Sequence, residues 1–383
     1  MKVLLVTLWG NINIGNRLQH YALQNALEKL DCEVDNAVYI REREHKILTF
    51  IKDCIKTTLS IAGVERFNEY NFKSFKANKN RKSRFDEFIV RTVKNQVNID
   101  FDDIEGGAVK SLVEKYSFAV TGSDQVWHHW FPKERNELPY FYLSFLDQDK
   151  RISYAASFGF SRFPEIDRGA HKKGLEGIRH LSVRELEMVD MISTLTGRQA
   201  QVVVDPTMLL TKKEWGEVET KPRDFNIGKY VVVYFVGNKP DEYRNAIKNY
   251  VEELQHGIKD DVEIVNLYDI DYPEYYSITP DEFLYLIDKS EFVFTDSFHG
   301  AVFSLLYEKN FVVFRRKQYG SEDMFGRLAG LLKQMGIAGH EYNKDRIYLP
   351  DLPDYNEVNR QIDIERKKSM DWLKKSLSDE VLD

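Results

Sequence analysis

Short runs of apolar, largely β-branched residues recur along the 383-residue chain, and stretches with apolar positions at helical spacing separate many of them. The first run, Val3 to Thr7, ends in a loop carrying Gly10, Asn11, Asn13 and Gly15. From Arg17 to Leu30, positions Leu18, Tyr21, Ala22, Asn25 and Ala26 share one helical face. Strand, glycine-bearing loop and helix open a parallel α/β layer. Val34 to Ile40 is a second strand. Further buried strands are predicted at Phe118–Thr121, Ile152–Ala155, Leu181–Val183, Gln201–Val204, Tyr230–Val236, Val262–Val265, Phe292–Thr295 and Phe311–Phe314. Continuous apolar strands alternating with amphipathic helices imply right-handed βαβ units in doubly wound sheets.

The chain is too long for one ordinary core, so two domains are expected. A polar break at Thr211–Gly228 carries Pro222 and precedes the strong run Tyr230-Val231-Val232-Val233-Tyr234-Phe235. It divides a first domain, 1–212, from a second, 229–350, with 213–228 as linker. A last helix, 356–377, follows a loop with Pro350 and Pro353.

Composition narrows the function classes. Hydrophobic residues are 43% and charged residues 30%, a globular balance, and the net charge of −7 argues against a nucleic-acid binder. Two cysteines, Cys32 and Cys54, show no metal-ligand spacing and suit a reducing compartment. The apolar N-terminal run is short for a signal peptide, and no stretch approaches the ~20 apolar residues of a spanning helix. A cytoplasmic protein is expected. Arg41 to Asn95 stands apart, with 14 Lys/Arg against 7 Asp/Glu. There Lys73, Lys76, Lys79, Arg81, Lys82 and Arg84 interleave with Phe67, Tyr70, Phe72 and Phe75. The plain reading is a helical insert whose aromatics pack on the first domain. The functional one is peripheral contact with the inner membrane face, or with the diphosphate of a lipid-linked acceptor.

Four polar turns are candidates for chemistry. Thr295-Asp296-Ser297-Phe298-His299-Gly300 joins a strand to a helix, so exposed helix-start N–H groups would make an anion site that His299 completes. A capped helix with a packed His299 is the alternative. Leu181-Ser182-Val183-Arg184-Glu185 ends a strand in a guanidinium suited to gripping a carboxylate or phosphate, or to a structural pair with Glu. Gly122-Ser123-Asp124-Gln125-Val126-Trp127 offers a carboxylate, an amide and an aromatic face for a sugar, or a capped helix with Trp127 in the core. The first loop, Gly10 to Gln19, is a ligand loop by position alone, and lacks nucleotide-fingerprint spacing. Asp205-Pro206-Thr207 reads equally as a structural turn and as a site. No nucleophile elbow, zinc pattern or Walker motif occurs, and His128-His129 points two ways on regular backbone. Neither a metal nor a redox cofactor is expected.

These pieces, in this order, resemble the polysaccharide pyruvyl transferase family. The matching stretches are Gly15-Asn16-Arg17-Leu18-Gln19 with Tyr21-Ala22-Leu23-Gln24, Gly122 to Trp127, Ser153-Tyr154-Ala155-Ala156-Ser157-Phe158-Gly159, Ser182 to Glu185, Asp205 to Thr207, and Thr295 to Gly300. The resemblance implies an α/β fold of two Rossmann-like doubly wound domains facing a cleft, GT-B-like, with the C-terminal helix returning to the first domain. It implies phosphoenolpyruvate as co-substrate, held by Arg184 and His299 with Ser297, Phe298 and Gly300. The expected acceptor is a saccharide of a surface polysaccharide or its lipid-linked precursor, met by Asn16, Gln19, Asp124, Gln125 and Trp127. Several members carry an arginine two residues before the histidine, where this chain has Ser297. The replacement cation is sought among Arg315, Arg316, Lys317 and Arg327, with Arg315 assigned to the donor site.

The expected reaction protonates the donor's methylene, adds a sugar hydroxyl at C2, releases phosphate and closes a cyclic ketal with a second hydroxyl. Arg184, His299 and Asp124 are the expected catalytic residues, His299 as acid and Asp124 on the acceptor. One alternative is a nucleotide-sugar glycosyltransferase of the same architecture. The helix Ala301 to Leu306 argues against it, with no acid for a ribose before Glu308. The other is a non-catalytic sugar-binding protein of polysaccharide assembly.

Overall fold

Two parallel sheets, each assembled from apolar runs, organise the chain. A computed structural model describes residues 1–9, 12–40, 72–100, 104, 106–128, 137–160, 162–317, 325–345 and 348–378. The first sheet contains β1 (Lys2–Val6), β2 (Glu33–Ile40), β3 (Gln96–Asp100), β4 (Phe118–Thr121) and β5 (Arg151–Ser153), in the order β3-β2-β1-β4-β5. Val3 lies opposite Val34 on one side and Phe118 on the other. A small parallel pair, β6 (Ser182–Val183) and β7 (Gln201–Val202), continues beyond β5 through single bridges from Ile152 to His180 and from Ala156 to Val183. The second sheet holds β8 (Tyr230–Tyr234), β9 (Glu263–Leu267), β10 (Phe292–Thr295) and β11 (Asn310–Val313), in the order β11-β10-β8-β9. The central strands β1, β4, β8 and β10 are buried nearly throughout, because helices cover both faces.

The longer helices are α1 (Ile14–Glu28), α2 (Phe72–Thr92), α3 (Arg168–Glu176), α4 (Glu187–Thr196), α5 (Asp241–Ile258), α6 (Pro280–Lys289), α7 (Phe298–Leu306), α8 (Phe325–Gln334) and α9 (Tyr355–Ser376). In each sheet the strand order reverses beside the first strand, between β1 and β4 and between β8 and β10. Loops leaving the carboxyl ends of such strands diverge and open a crevice. The two crevices face each other, as the contacts of Gly15 and Asp205 with His299 show. Two Rossmann-like units across a cleft are therefore the architecture, as the resemblance implied.

The last helix ties the units together. Near its start, Tyr355 donates to the Lys309 carbonyl and Asn359 to Glu308, both in the second unit. Further along, Arg366 donates to the Met208 carbonyl at 2.7 Å, and Ser369 Oγ accepts from the Val204 amide at 3.0 Å. Trp372 then lies against Tyr154 of the first unit. The expected linker, 213–228, packs inward: Trp215 and Phe225 are buried in a core cluster that includes residues of both units.

Two expectations change. Gln96–Asp100 is an edge strand, β3, that the apolar-run criterion passes over, since only Val97 and Ile99 are apolar in it. The basic segment is also different in kind. Residues 41–71 lie outside the described residues. In α2, Phe85 and Phe88 join the core, and two of the six cations named in this segment, Arg81 and Arg84, are engaged internally. Arg81 is buried, sits 3.3 Å from the Tyr268 ring centroid and donates to the Ile12 carbonyl at 3.0 Å. Arg84 donates to the Ser277 carbonyl at 2.8 Å and to Glu282 at 2.6 Å. Lys79 and Lys82 remain exposed. Among the described residues, no helix is long and apolar enough to cross a membrane.

Arg81 therefore acts as a clasp between units. Its cation–π contact and charged hydrogen bond together stabilise by about 3 kcal/mol. Urea unfolding of Arg81→Ala is expected to show a loss of that size, while Lys79→Gln stays near the parent. Equal stability of the two variants would contradict the clasp.

Candidate active site

The site is built where strands end. Ser123 and Asp124 follow β4, Arg184 follows β6, Asp205 follows β7 and His299 opens α7 after β10. Asp205 is the common partner. Its Oδ1 accepts from the Thr207 amide at 3.0 Å and the Thr207 hydroxyl at 2.7 Å, a local turn that fixes the carboxylate. Its Oδ2 accepts from Arg184 Nη1 at 2.8 Å and Ser123 Oγ at 3.3 Å. His299 Nε2 lies 3.7 Å from the same oxygen, in ion-pair range but beyond a hydrogen bond. Burial opposes ionisation of Asp205, but His299 and Arg184 overcome it and hold the carboxyl well below the usual range.

Arg184 is gripped on several sides. Nε donates to Glu185 at 2.9 Å, Asp124 Oδ1 lies 4.0 Å from Nη2, and the Phe298 ring centroid is 4.5 Å from the guanidinium carbon. Burial disfavours its charge, yet Glu185, Asp205 and Asp124 raise its pKa above the ordinary value. Arg327 of α8 stands beside it, 3.9 Å from Glu185. With the Gln125 amide oriented oxygen-first, an assignment made on hydrogen bonding, it accepts from Arg327 Nη2 at 2.9 Å and Nη1 at 3.0 Å. Burial, and then the neighbouring Arg184, lower the Arg327 pKa to about 10. A cavity of about 610 Å³ opens onto Arg184, Glu185, Asp205, Phe298 and Arg327, and reaches Lys333 and Lys368 at its far side.

Four buried polar atoms here have no hydrogen-bond partner among the described residues: Arg184 Nη2, Arg327 Nε, His299 Nε2 and Glu185 Oε2. Unmade buried hydrogen bonds are costly, so nitrogen donors of this kind grouped with a free carboxylate oxygen beside a cavity mark a ligand site. Gly15 brings the first unit onto the histidine, since a Cβ there would stand 2.0 Å from His299 Nδ1.

The predicted residues divide accordingly. Arg184, His299, Asp124, Gln125 and Phe298 converge. Asn16 and Gln19 are buried supports rather than acceptor contacts. Asn16 donates to Asp124 at 3.3 Å and accepts from Arg17 at 2.7 Å. Gln19 accepts from the Ser123 amide at 3.0 Å and donates to Thr7 at 2.9 Å. Trp127 is fully buried, stacked on Tyr142 with Nε1 donating to the Phe141 carbonyl, so it offers no face to a sugar.

The helix start also differs from expectation. Ser297 Oγ accepts the Gly300 amide at 3.3 Å, so that amide is already used. Glycine is needed there because a Cβ would meet Thr295 Oγ1 at 2.3 Å, not to admit a ligand. Asp296 turns away from the helix and accepts from the Val236 and Gly237 amides at 2.7 and 2.9 Å, pinning the loop after β8. Arg315 faces Glu341 and Phe325 and is largely exposed. Arg316 lies beside Asp296, and Lys317 is exposed. Of the four candidate replacement cations, Arg327 is the one beside Arg184. Gly10, Asn11 and His129 lie outside the described residues. Asp205, which the sequence left equally as a turn or a site, stands at the centre, and the Arg184–Glu pair is made with Glu185; the close approach of Gly15 to His299 is what sequence reasoning missed.

The sequence matches the polysaccharide pyruvyl transferase family over residues 13–318, and the chain belongs to that family. Comparison with curated proteins returns no match. Among solved structures, Arabidopsis thaliana UGT89C1 complexed with UDP-L-rhamnose is similar at 10% identity, with 98% of each chain covered and a TM-score of 0.49. UDP-GlcNAc 2-epimerase from Neisseria meningitidis bound to UDP-GlcNAc is similar at 11% identity, covering 96% of this chain and 94% of that one, TM-score 0.46. Acinetobacter baumannii MurG is similar at 8% identity, covering 98% of this chain and 94% of that one, TM-score 0.39.

The buried Asp205 gives a pH test. Its folded-state pKa is depressed, so its contribution to stability is complete above the unfolded value of about 3.9 and is lost as pH falls towards the lower folded value. Asp205→Asn is expected to be less stable than the parent at neutral pH, with the difference narrowing as pH drops below about 4. Paired urea titrations across that range check it; a constant difference would contradict the assigned role.

Proposed function

We propose that the chain transfers the pyruvyl group of phosphoenolpyruvate to a saccharide and closes a pyruvate ketal on two of its hydroxyls. The carrying observation is the set of buried donors, Arg184 Nη2, Arg327 Nε and His299 Nε2, that have no hydrogen-bond partner among the described residues and stand beside carboxylates in the cleft. Membership of the family supports transfer of a pyruvyl group to a polysaccharide. The donor is an enol phosphate with a carboxylate, so it needs cations for its anionic groups and an acid for its methylene carbon. Arg184 meets a donor anion. His299 delivers a proton to the methylene, which leaves C2 oxocarbenium-like. The first sugar hydroxyl adds at C2 and gives its proton to a carboxylate, a role we assign to Asp124, less buried than Glu185 and Asp205. Cleavage of the C2–O bond then releases phosphate, and the second hydroxyl adds at C2 to close the ketal. The second hydroxyl's proton leaves with phosphate, so the two hydroxyl protons balance the new methyl hydrogen and the phosphate. The acceptor is a sugar of a surface polysaccharide or of its lipid-linked precursor.

Phosphoenolpyruvate is expected to raise the melting temperature, and UDP-sugars to leave it unchanged. Protection by a UDP-sugar with no response to phosphoenolpyruvate would favour the glycosyltransferase alternative. His299→Ala and Arg184→Lys are each expected to lower phosphate release, measured with a panel of lipid-linked oligosaccharides, by about 100-fold or more. Lysine keeps the charge of Arg184 but not its planar two-point contact. Near-parental turnover in both variants would remove these residues from the mechanism.

A further inference from the structure

We infer that Arg184 and Arg327 form a clamp for one doubly charged oxyanion, the phosphate of the donor, and that Gln125 sets the clamp from the opposite unit. The inference rests on the proposed donor and adds the residue that recognises its phosphate. Two guanidiniums are buried side by side, and after burial itself the neighbouring Arg184 is what disfavours charge on Arg327. Glu185 offsets both through a single oxygen, Oε1, at 2.9 Å from Arg184 Nε and 3.9 Å from Arg327 Nε. That leaves one unpartnered donor on each guanidinium, Nη2 of Arg184 and Nε of Arg327. Both side chains line the 610 Å³ cavity. A phosphate dianion between them would relieve the mutual repulsion and fill both donors, with the charge-assisted geometry that guanidinium and phosphate share.

The alternative site for the phosphate, the start of α7, is weakened by geometry already described. Its Gly300 amide is capped by Ser297. His299 is thus freed from phosphate binding and left to act on the methylene carbon. Gln125 comes from the first unit and Arg327 from the second, so their hydrogen bonds hold the clamp's two halves in register. Gln125 is a positioning residue in this scheme, because it acts through Arg327.

Thermal shift and steady-state kinetics on the full chain test this, with inorganic phosphate, pyruvate and phosphoenolpyruvate as probes. Parent protein is expected to be protected by phosphate, by pyruvate and by phosphoenolpyruvate. Arg327→Gln is expected to lose phosphate protection, keep protection by pyruvate, and raise the KM for phosphoenolpyruvate about 10- to 100-fold, more than it lowers kcat. Arg327→Lys, which carries the test if the glutamine variant does not fold, is expected to show a smaller rise. Gln125→Leu is expected to raise KM in the same direction. Unchanged phosphate protection and KM in the Arg327 variants, with stability alone reduced, would make Arg327 a structural contact and overturn the clamp. A parent protected by phosphate but not by phosphoenolpyruvate, with that protection lost in Arg327→Gln, would leave the clamp standing and overturn the donor. No response of the parent to either would overturn both.

Discussion

One buried carboxylate holds the cleft in order. Asp205 is shut away from water, and an isolated charge there would be prohibitively expensive. It persists because both oxygens are occupied: one by its own turn at Thr207, the other by Arg184 and Ser123, with His299 at ion-pair distance. Those partners come from three different strand ends of the first unit and from α7 of the second. The position of the imidazole relative to the guanidinium thus depends on a single anion, and removing its charge would loosen Arg184 and His299 together.

That dependence also explains what the sequence could and could not show. Strand ends are legible because apolar runs stop there, and Arg184, His299, Asp124 and Asp205 all stand just past such stops. Which of them meet is a matter of pairing across the cleft, and local pattern is silent on it. Trp127 illustrates the limit. It follows a polar turn, as a sugar platform would, but the left-handed backbone at Asp124 breaks the strand's alternation, and the indole turns in against Tyr142 and Phe158. Arg81 and Arg84 illustrate another. Composition marks them as surface cations, whereas the partner of Arg84, Glu282, lies 198 residues further along the chain.

The helix start at Ser297 shows how one residue type serves two readings. A serine before a helix is both a cap and a candidate anion ligand. Here the cap is made, and Asp296 is drawn off to the loop after β8, so both residues stabilise the crevice instead of lining it. The oxyanion contacts then fall to side chains, and Arg184, Arg327 and His299 each carry a buried nitrogen without a hydrogen-bond partner among the described residues.

Neither unit holds a complete site. The first supplies Asp124, Arg184, Glu185 and Asp205, and the second supplies Phe298, His299 and Arg327. Such a split usually invites hinge closure, since interfaces between domains tend to be modest and polar. This one is different: a single apolar cluster runs from Leu18 and Ala22 of α1 through Trp215 to Phe283 of α6, Phe303 of α7 and Leu373 of α9. Arg81 on one tie and the crossing helix on another add polar contacts to that core. Separating the units would expose this apolar surface to water, at a cost that grows with its area. The geometry around Asp205 is therefore held in place before any substrate arrives, and preorganised charge of this kind needs little rearrangement as the reaction proceeds.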